Sequence, residues 1–91
     1  MKLSRSEIIN HYQKQKKLTT TVYDDDCLLC TITTGKGKTK AVFVTDDVNS
    51  SEFRTFIRKR NELKADSIVV YCEFCTVIAQ GLEIILNRDW Q

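Results

Sequence analysis

The sequence predicts a small α+β domain. Its expected core is a mixed four-stranded sheet, a three-strand meander plus one parallel strand, flanked by helices in the order α-β-β-β-α-β-α. Three observations carry this expectation. Two helix starts are marked by capping boxes, Thr- and Val-rich runs lie between them, and a short apolar run follows the second helix. With 91 residues, positions 1–91 form one domain, which buries roughly 60–65% of its unfolded surface at this size.

Ser4-Arg5-Ser6-Glu7 opens the first helix: the Ser4 hydroxyl can accept the Glu7 amide, and the Glu7 carboxylate can reach back. Leu3 and Ile8 stand where a hydrophobic staple forms, and Ile8, Ile9 and Tyr12 make the apolar face. The helix fades in the polar run 13–17. Residues 18–23, 27–33 and 41–45 then read as strands from their β-branched content. Asp24-Asp25-Asp26 turns between the first two, and Thr34-Gly35-Lys36-Gly37-Lys38 between the second and third.

Asn49-Ser50-Ser51-Glu52 opens the second helix, with Phe53, Phe56, Ile57 and Leu63 spaced for one face. From Ser67 to Tyr71 the chain reads as a short apolar run, continuous from Ile68, which suits a strand covered on both sides. After Cys72 the polar residues Glu73, Thr76, Gln80, Glu83 and Asn87 recur every three or four positions. That spacing predicts a terminal helix, with a strand–turn–strand around Gly81 as the alternative.

Composition excludes several classes. Apolar residues at 42% and charged residues at 29% argue against disorder. No apolar run approaches the ~20 residues that cross a bilayer, so no membrane is expected. The N-terminal stretch lacks an apolar signal core, which predicts a cytoplasmic protein with its cysteines reduced.

Four cysteines fall in two CxxC pairs, Cys27-Leu28-Leu29-Cys30 and Cys72-Glu73-Phe74-Cys75. Together Cys27, Cys30, Cys72 and Cys75 have the composition of a structural zinc site. Neither pair has the nearby Gly or Pro of a zinc knuckle, and in an extended strand residues three apart face opposite ways. Interior packing as small apolar groups is therefore the favoured reading, with no cofactor expected and zinc as the alternative. A second alternative is a redox dithiol at Cys72 and Cys75, where an apolar strand would give way to a helix N-terminus that favours thiolate. This placement resembles thioredoxin-like proteins, although those carry the motif on an early strand and a cis-proline later, and this chain has no Pro.

Other motifs are incomplete. Gly37-Lys38-Thr39 imitates the end of a phosphate-binding loop, but Ile32 stands at the position of its first glycine and a strand follows. His11 has no nucleophile or acid at a catalytic spacing. Asp24-Asp25-Asp26 and Asp46-Asp47 read as solvated turns, with divalent-ion binding as the less common use of such runs. The order of elements resembles the core of restriction-endonuclease-like nucleases. That resemblance implies an acid on the second strand, where Asp26 would stand, and Glu-x-Lys on the third. The third strand reads Lys40-Ala41-Val42-Phe43-Val44, so a nuclease of this kind would be degenerate.

Charge is strongly alternated beneath a net +2. Residues 1–23 and 53–64 each carry five Lys or Arg against one acid, whereas the stretch from Asp66 onward is net −3. Lys36, Lys38 and Lys40 line the hairpin, and Arg54, Arg58, Lys59, Arg60 and Lys64 load the second helix. Lys14, Lys16 and Lys17 close the first helix, where cations suit the helix dipole. The expectation is a non-enzymatic regulatory or accessory protein. It would bind another protein or a nucleic acid through the basic helix and hairpin. An open sheet edge and Trp90 leave room for a homodimer.

Overall fold

Two apolar cores, one on each side of a mixed four-stranded sheet, organise the described residues. The computed structural model describes residues 4–19, 28–75 and 82–86. Helix α1 (Arg5–Lys14) begins where Ser4 accepts the Glu7 amide at 3.2 Å. Helix α2 (Ser50–Leu63) begins where Asn49 accepts the Glu52 amide at 3.0 Å. Both caps satisfy a backbone donor that the helix itself leaves open.

Strands β1 (Leu28–Thr33), β2 (Thr39–Val44), β4 (Ser67–Cys72) and β6 (Leu82–Leu86) form the sheet in the order β1-β2-β4-β6. β1 is antiparallel to β2, β4 is parallel to β2, and β6 is parallel to β4. Short strands β3 (Asp47–Val48) and β5 (Phe74–Cys75) pair in parallel and continue the β2–β4 register past a break. Outside β1, Leu18 bridges Ile32, and the Thr19 amide donates to the Thr31 carbonyl at 2.9 Å. Leu18 and Thr19 thus lie beside β1 where the first strand of the expected meander would begin, and the rest of that strand lies outside the described residues. Residues 20–27, and with them Asp26 and Cys27, lie outside the described residues.

The α+β class, the mixed sheet and the element order through β4 agree with the sequence reading. The terminal helix does not: Leu82–Leu86 is a strand, the alternative that Gly81 left open. Glu83 points to the side of α1 while Leu82, Ile84 and Leu86 pack toward α2, an alternation that belongs to a strand. A parallel strand there satisfies the backbone groups on the outer edge of β4.

Alternation along each strand divides the core. Toward α1 lie Ile8, Tyr12, Leu29, Cys30, Ile32, Val42, Val44, Val69 and Tyr71. Toward α2 lie Leu28, Ala41, Phe43, Val48, Phe56, Ile68, Val70 and Cys72. Phe56 and Phe43 anchor α2, their rings 4.6 Å apart. Burying Phe56 stabilises by about 2–3 kcal/mol, and removing it should cost more because a cavity remains.

Both helices end on lysine in the left-handed conformation. Lys16 and Lys64 each have φ of 56°. The Lys17 amide donates to the Tyr12 carbonyl at 3.1 Å, and the Ala65 amide to the Arg60 carbonyl at 3.0 Å. These are Schellman-type closures, in which glycine is the usual residue. A side chain in this conformation costs roughly 1 kcal/mol.

Candidate functional site

The connections decide where the cations go. After α1 the chain turns through Lys16 so that the Lys17 carbonyl accepts the Thr33 amide at 2.8 Å, at the end of β1. The hairpin follows, with Lys36 and Lys38 exposed at its tip. There the Thr34 hydroxyl accepts the Lys36 and Lys38 amides at 3.3 Å each, and Gly37 takes a φ of 78°. Helix α2 returns to the same end. The Asp66 amide donates to the Thr39 carbonyl at 2.9 Å, and the Asp66 carboxylate accepts the Thr39 amide at 2.8 Å. That amide bond, with Lys38 nearby, holds the Asp66 carboxyl below its usual range, although partial desolvation opposes the shift.

One end of the sheet therefore gathers Lys16, Lys17, Lys36, Lys38 and Lys64, with Lys14 in the last turn of α1. Lysine clusters of this kind repel one another unless an anion is supplied, and the negative C-terminal dipoles of α1 and α2 offset part of that cost. The other end of the same sheet carries acid. Asp46 and Asp47 follow β2, Glu73 follows β4, and Glu52 lies in the first turn of α2. A six-residue strand spans about 20 Å, which separates the two sets of charge.

The expected contact surface is divided by this arrangement. Lys36, Lys38 and Lys40 line one cleft with Asp66, and Lys64 caps α2 two residues before Asp66. Lys40 points to the α1 side, in step with Val42 and Val44, and its ammonium meets Glu83 at 3.0 Å. Arg54 and Arg58 lie further along α2, beside Phe53 and Ile57 on a cleft of about 550 Å³. Arg58 and Lys59 share Glu62, at 3.4 and 3.8 Å, and Arg60 donates to the Asn61 side chain at 3.1 Å. Such exposed pairs contribute about 0–1 kcal/mol, but they place a carboxylate among the cations of the helix. Lys16 and Lys17 join the site through tertiary pairing, which their sequence position as helix-closing cations does not reveal.

The cysteines are dispersed. Cys30 lies in the α1-side core and Cys72 in the α2-side core, with the sheet between them. A four-sulfur zinc site requires both on one ion, and this fold keeps them apart. Burial pushes the Cys30 thiol up to about 11. Burial, and then the neighbouring Cys75 and Asp47, push Cys72 up to about 11 as well. The dithiol alternative relied on a helix N-terminus to lower that value, whereas Cys72 ends β4 and Cys75 lies exposed in β5. Among the described residues no three His, Cys, Asp or Glu side chains gather as metal ligands.

On the strand where the nuclease resemblance needs Glu-x-Lys, Ala41, Val42, Phe43 and Val44 are all buried in the two cores. His11 faces a Gln15 side-chain nitrogen at 3.0 Å and stacks edge-on with Tyr12. No described helix is long and apolar enough to cross a membrane. Compared with known proteins, the chain matches no family model, no curated protein and no solved structure.

Proposed function

We propose that this domain is a non-enzymatic binding module that engages the phosphate backbone of a nucleic acid through its lysine end. The observation that carries the reading is the convergence of Lys16, Lys17, Lys36, Lys38 and Lys64 from three separate segments, opposite a carboxylate-bearing end. A net charge of +2 is too small to draw a polyanion by itself, but separation of charge orients the molecule in its field. The left-handed Lys16 and Lys64 add support, since a residue kept against local preference is expected where function needs its side chain. Flexible, exposed lysines imply contacts to phosphate, and hence little sequence preference.

Fluorescence anisotropy of a labelled duplex across a salt series tests this. Binding through four or five lysines predicts an affinity that falls with salt at a log–log slope of about −4. Lys36→Glu with Lys38→Glu should weaken binding at least about tenfold, on the principle that each lost contact costs on the order of 1 kcal/mol. Arg54→Glu should change it little. A salt-independent affinity, or equal losses from Arg54 and from the lysines, would refute the assignment.

A further inference from the structure

Phe74 is the large apolar side chain that stands in solvent among the described residues, 63% exposed. It lies on β5 at the acidic end, in register with Asp47, and its amide and that of Glu73 both donate to the Asp46 carbonyl. An exposed aromatic ring on a strand flanked in sequence and register by Glu73, Asp46 and Asp47 resembles a plug more than a solvated surface, because burying such a ring removes about 150–250 Å² from water.

The opposite end offers a place for it. Around the hairpin, a cleft of about 650 Å³ is lined by Lys36, Lys38 and Lys40 together with Asp66. The Asp66 carboxylate is engaged by the Thr39 amide and the Lys40 ammonium by Glu83, while Lys36 and Lys38 stand exposed. Ammonium groups around such a cleft suit an aromatic face by cation–π attraction and suit the flanking carboxylates by charge. We propose that copies of this chain associate head to tail, with the Phe74 end of one copy docked on the lysine cleft of the next. Charge complementarity selects a second copy as the occupant: the exposed Lys36 and Lys38 meet Asp46 and Glu73.

The plug and the cleft lie at opposite ends of the sheet, since β4 runs from Ser67 beside the cleft to Cys72, two residues before Phe74. The contact is therefore heterologous, and one copy leaves an unused cleft at one end and an unused Phe74 at the other. Such contacts grow into open chains rather than closing as two-fold dimers. The inference rests on the lysine end being the contact surface, as in the nucleic-acid reading. It adds a consequence: polyanion and neighbouring copy compete for the same lysines, so nucleic acid disperses the assembly.

Sedimentation velocity on the full chain at low salt, about 50 mM to limit screening, provides the test. Wild-type protein should form species that lengthen with concentration up to about 0.1 mM, a range suited to weak contacts. Phe74→Ser, and separately Lys36→Glu with Lys38→Glu, should each be monomeric. Mixed in equal amounts, these two variants should give a one-to-one dimer and nothing longer, because only one complementary pair of ends survives. Phe74→Lys serves as a second probe of the plug, and circular dichroism checks that each variant is folded. A monomeric wild type, a mixture that stays monomeric, or a Phe74→Ser chain that assembles as before would overturn the proposal. Phe74→Ser should still bind duplex, so loss of assembly with retained binding separates this inference from the nucleic-acid reading. Assembly without duplex binding would sink that reading alone.

Discussion

The hydroxyl groups of Tyr12 on α1 and Tyr71 on β4 meet 2.5 Å apart inside the α1-side core. Their rings pack edge to face, with centroids 6.3 Å apart. Each hydroxyl satisfies the other where water is excluded, so the contact fixes how α1 sits on the sheet and hence where Lys16 and Lys17 emerge. Burial first, and then the bond to Tyr71, raise the Tyr12 pKa, and burial raises that of Tyr71.

Tyr12→Phe or Tyr71→Phe alone breaks this buried bond and should destabilise by about 1–3 kcal/mol. The double replacement should lie closer to wild type than the sum of the singles, by roughly 1 kcal/mol of coupling. Urea unfolding of the four proteins measures this; additive losses would mean the hydroxyls do not support one another.

Buried thiols and phenols set the alkaline limit of stability. Cys30 and Cys72 rise from an ordinary value near 9 to about 11 on folding. A raised folded pKa favours the protonated native form, so this stability is complete below pH 9 and is lost as pH climbs toward 11. Each thiol contributes up to about 2–3 kcal/mol by linkage, and the tyrosines extend the loss above pH 10. Unfolding midpoints measured from pH 7 to 11 should be flat up to about 9 and fall beyond it. Replacing Cys30 with Ala should flatten the first part of that fall.

Cys75 is exposed and Cys72 buried, the reverse of the reactivity expected of a dithiol whose first cysteine is the nucleophile. Alkylation of the native chain near neutral pH should modify Cys75 and spare Cys30 and Cys72 until denaturant is added. Peptide mass spectrometry reads the order directly. Rapid labelling of Cys72 ahead of Cys75 would restore the redox alternative.

Lys16 and Lys64 offer a test of conformation against function. Glycine at either position relieves the left-handed strain and should raise stability by up to about 1 kcal/mol. The same changes should weaken duplex binding. Gain in stability with unchanged binding would show that these lysines serve only the helix ends.

Much of the fold was legible because its signals are local. Ser4 with Glu7 and Asn49 with Glu52 are set by residues three apart, and both caps form. The crossover from α2 into β4 follows from continuous apolarity at 68–71. Past Cys72, Glu73 and Glu83 suggested helical spacing, but the unpaired edge of β4 imposed a strand on Leu82–Leu86. A propensity argument cannot see that demand.

The cysteines show a second limit. Simple alternation from Leu28 would put Cys30 on the α2 side, together with Cys72. A bulge between Leu28 and Cys30 shifts the register and turns Cys30 toward α1 instead. The lysines show a third. Each was visible in sequence, but their meeting depends on Lys17 pairing with Thr33 and on Asp66 clamping Thr39, both long-range bonds.

Backbone amide NMR of the Phe74→Ser chain, which is expected to be monomeric, during titration with a short duplex examines the lysine end most directly. Shifts should concentrate at Lys16–Lys17, Thr34–Lys38 and Lys64–Asp66, while Asp46–Val48 and Glu73–Cys75 at the far end stay in place. Shifts centred on Arg54 and Arg58, or on the Phe74 end, would contradict the account.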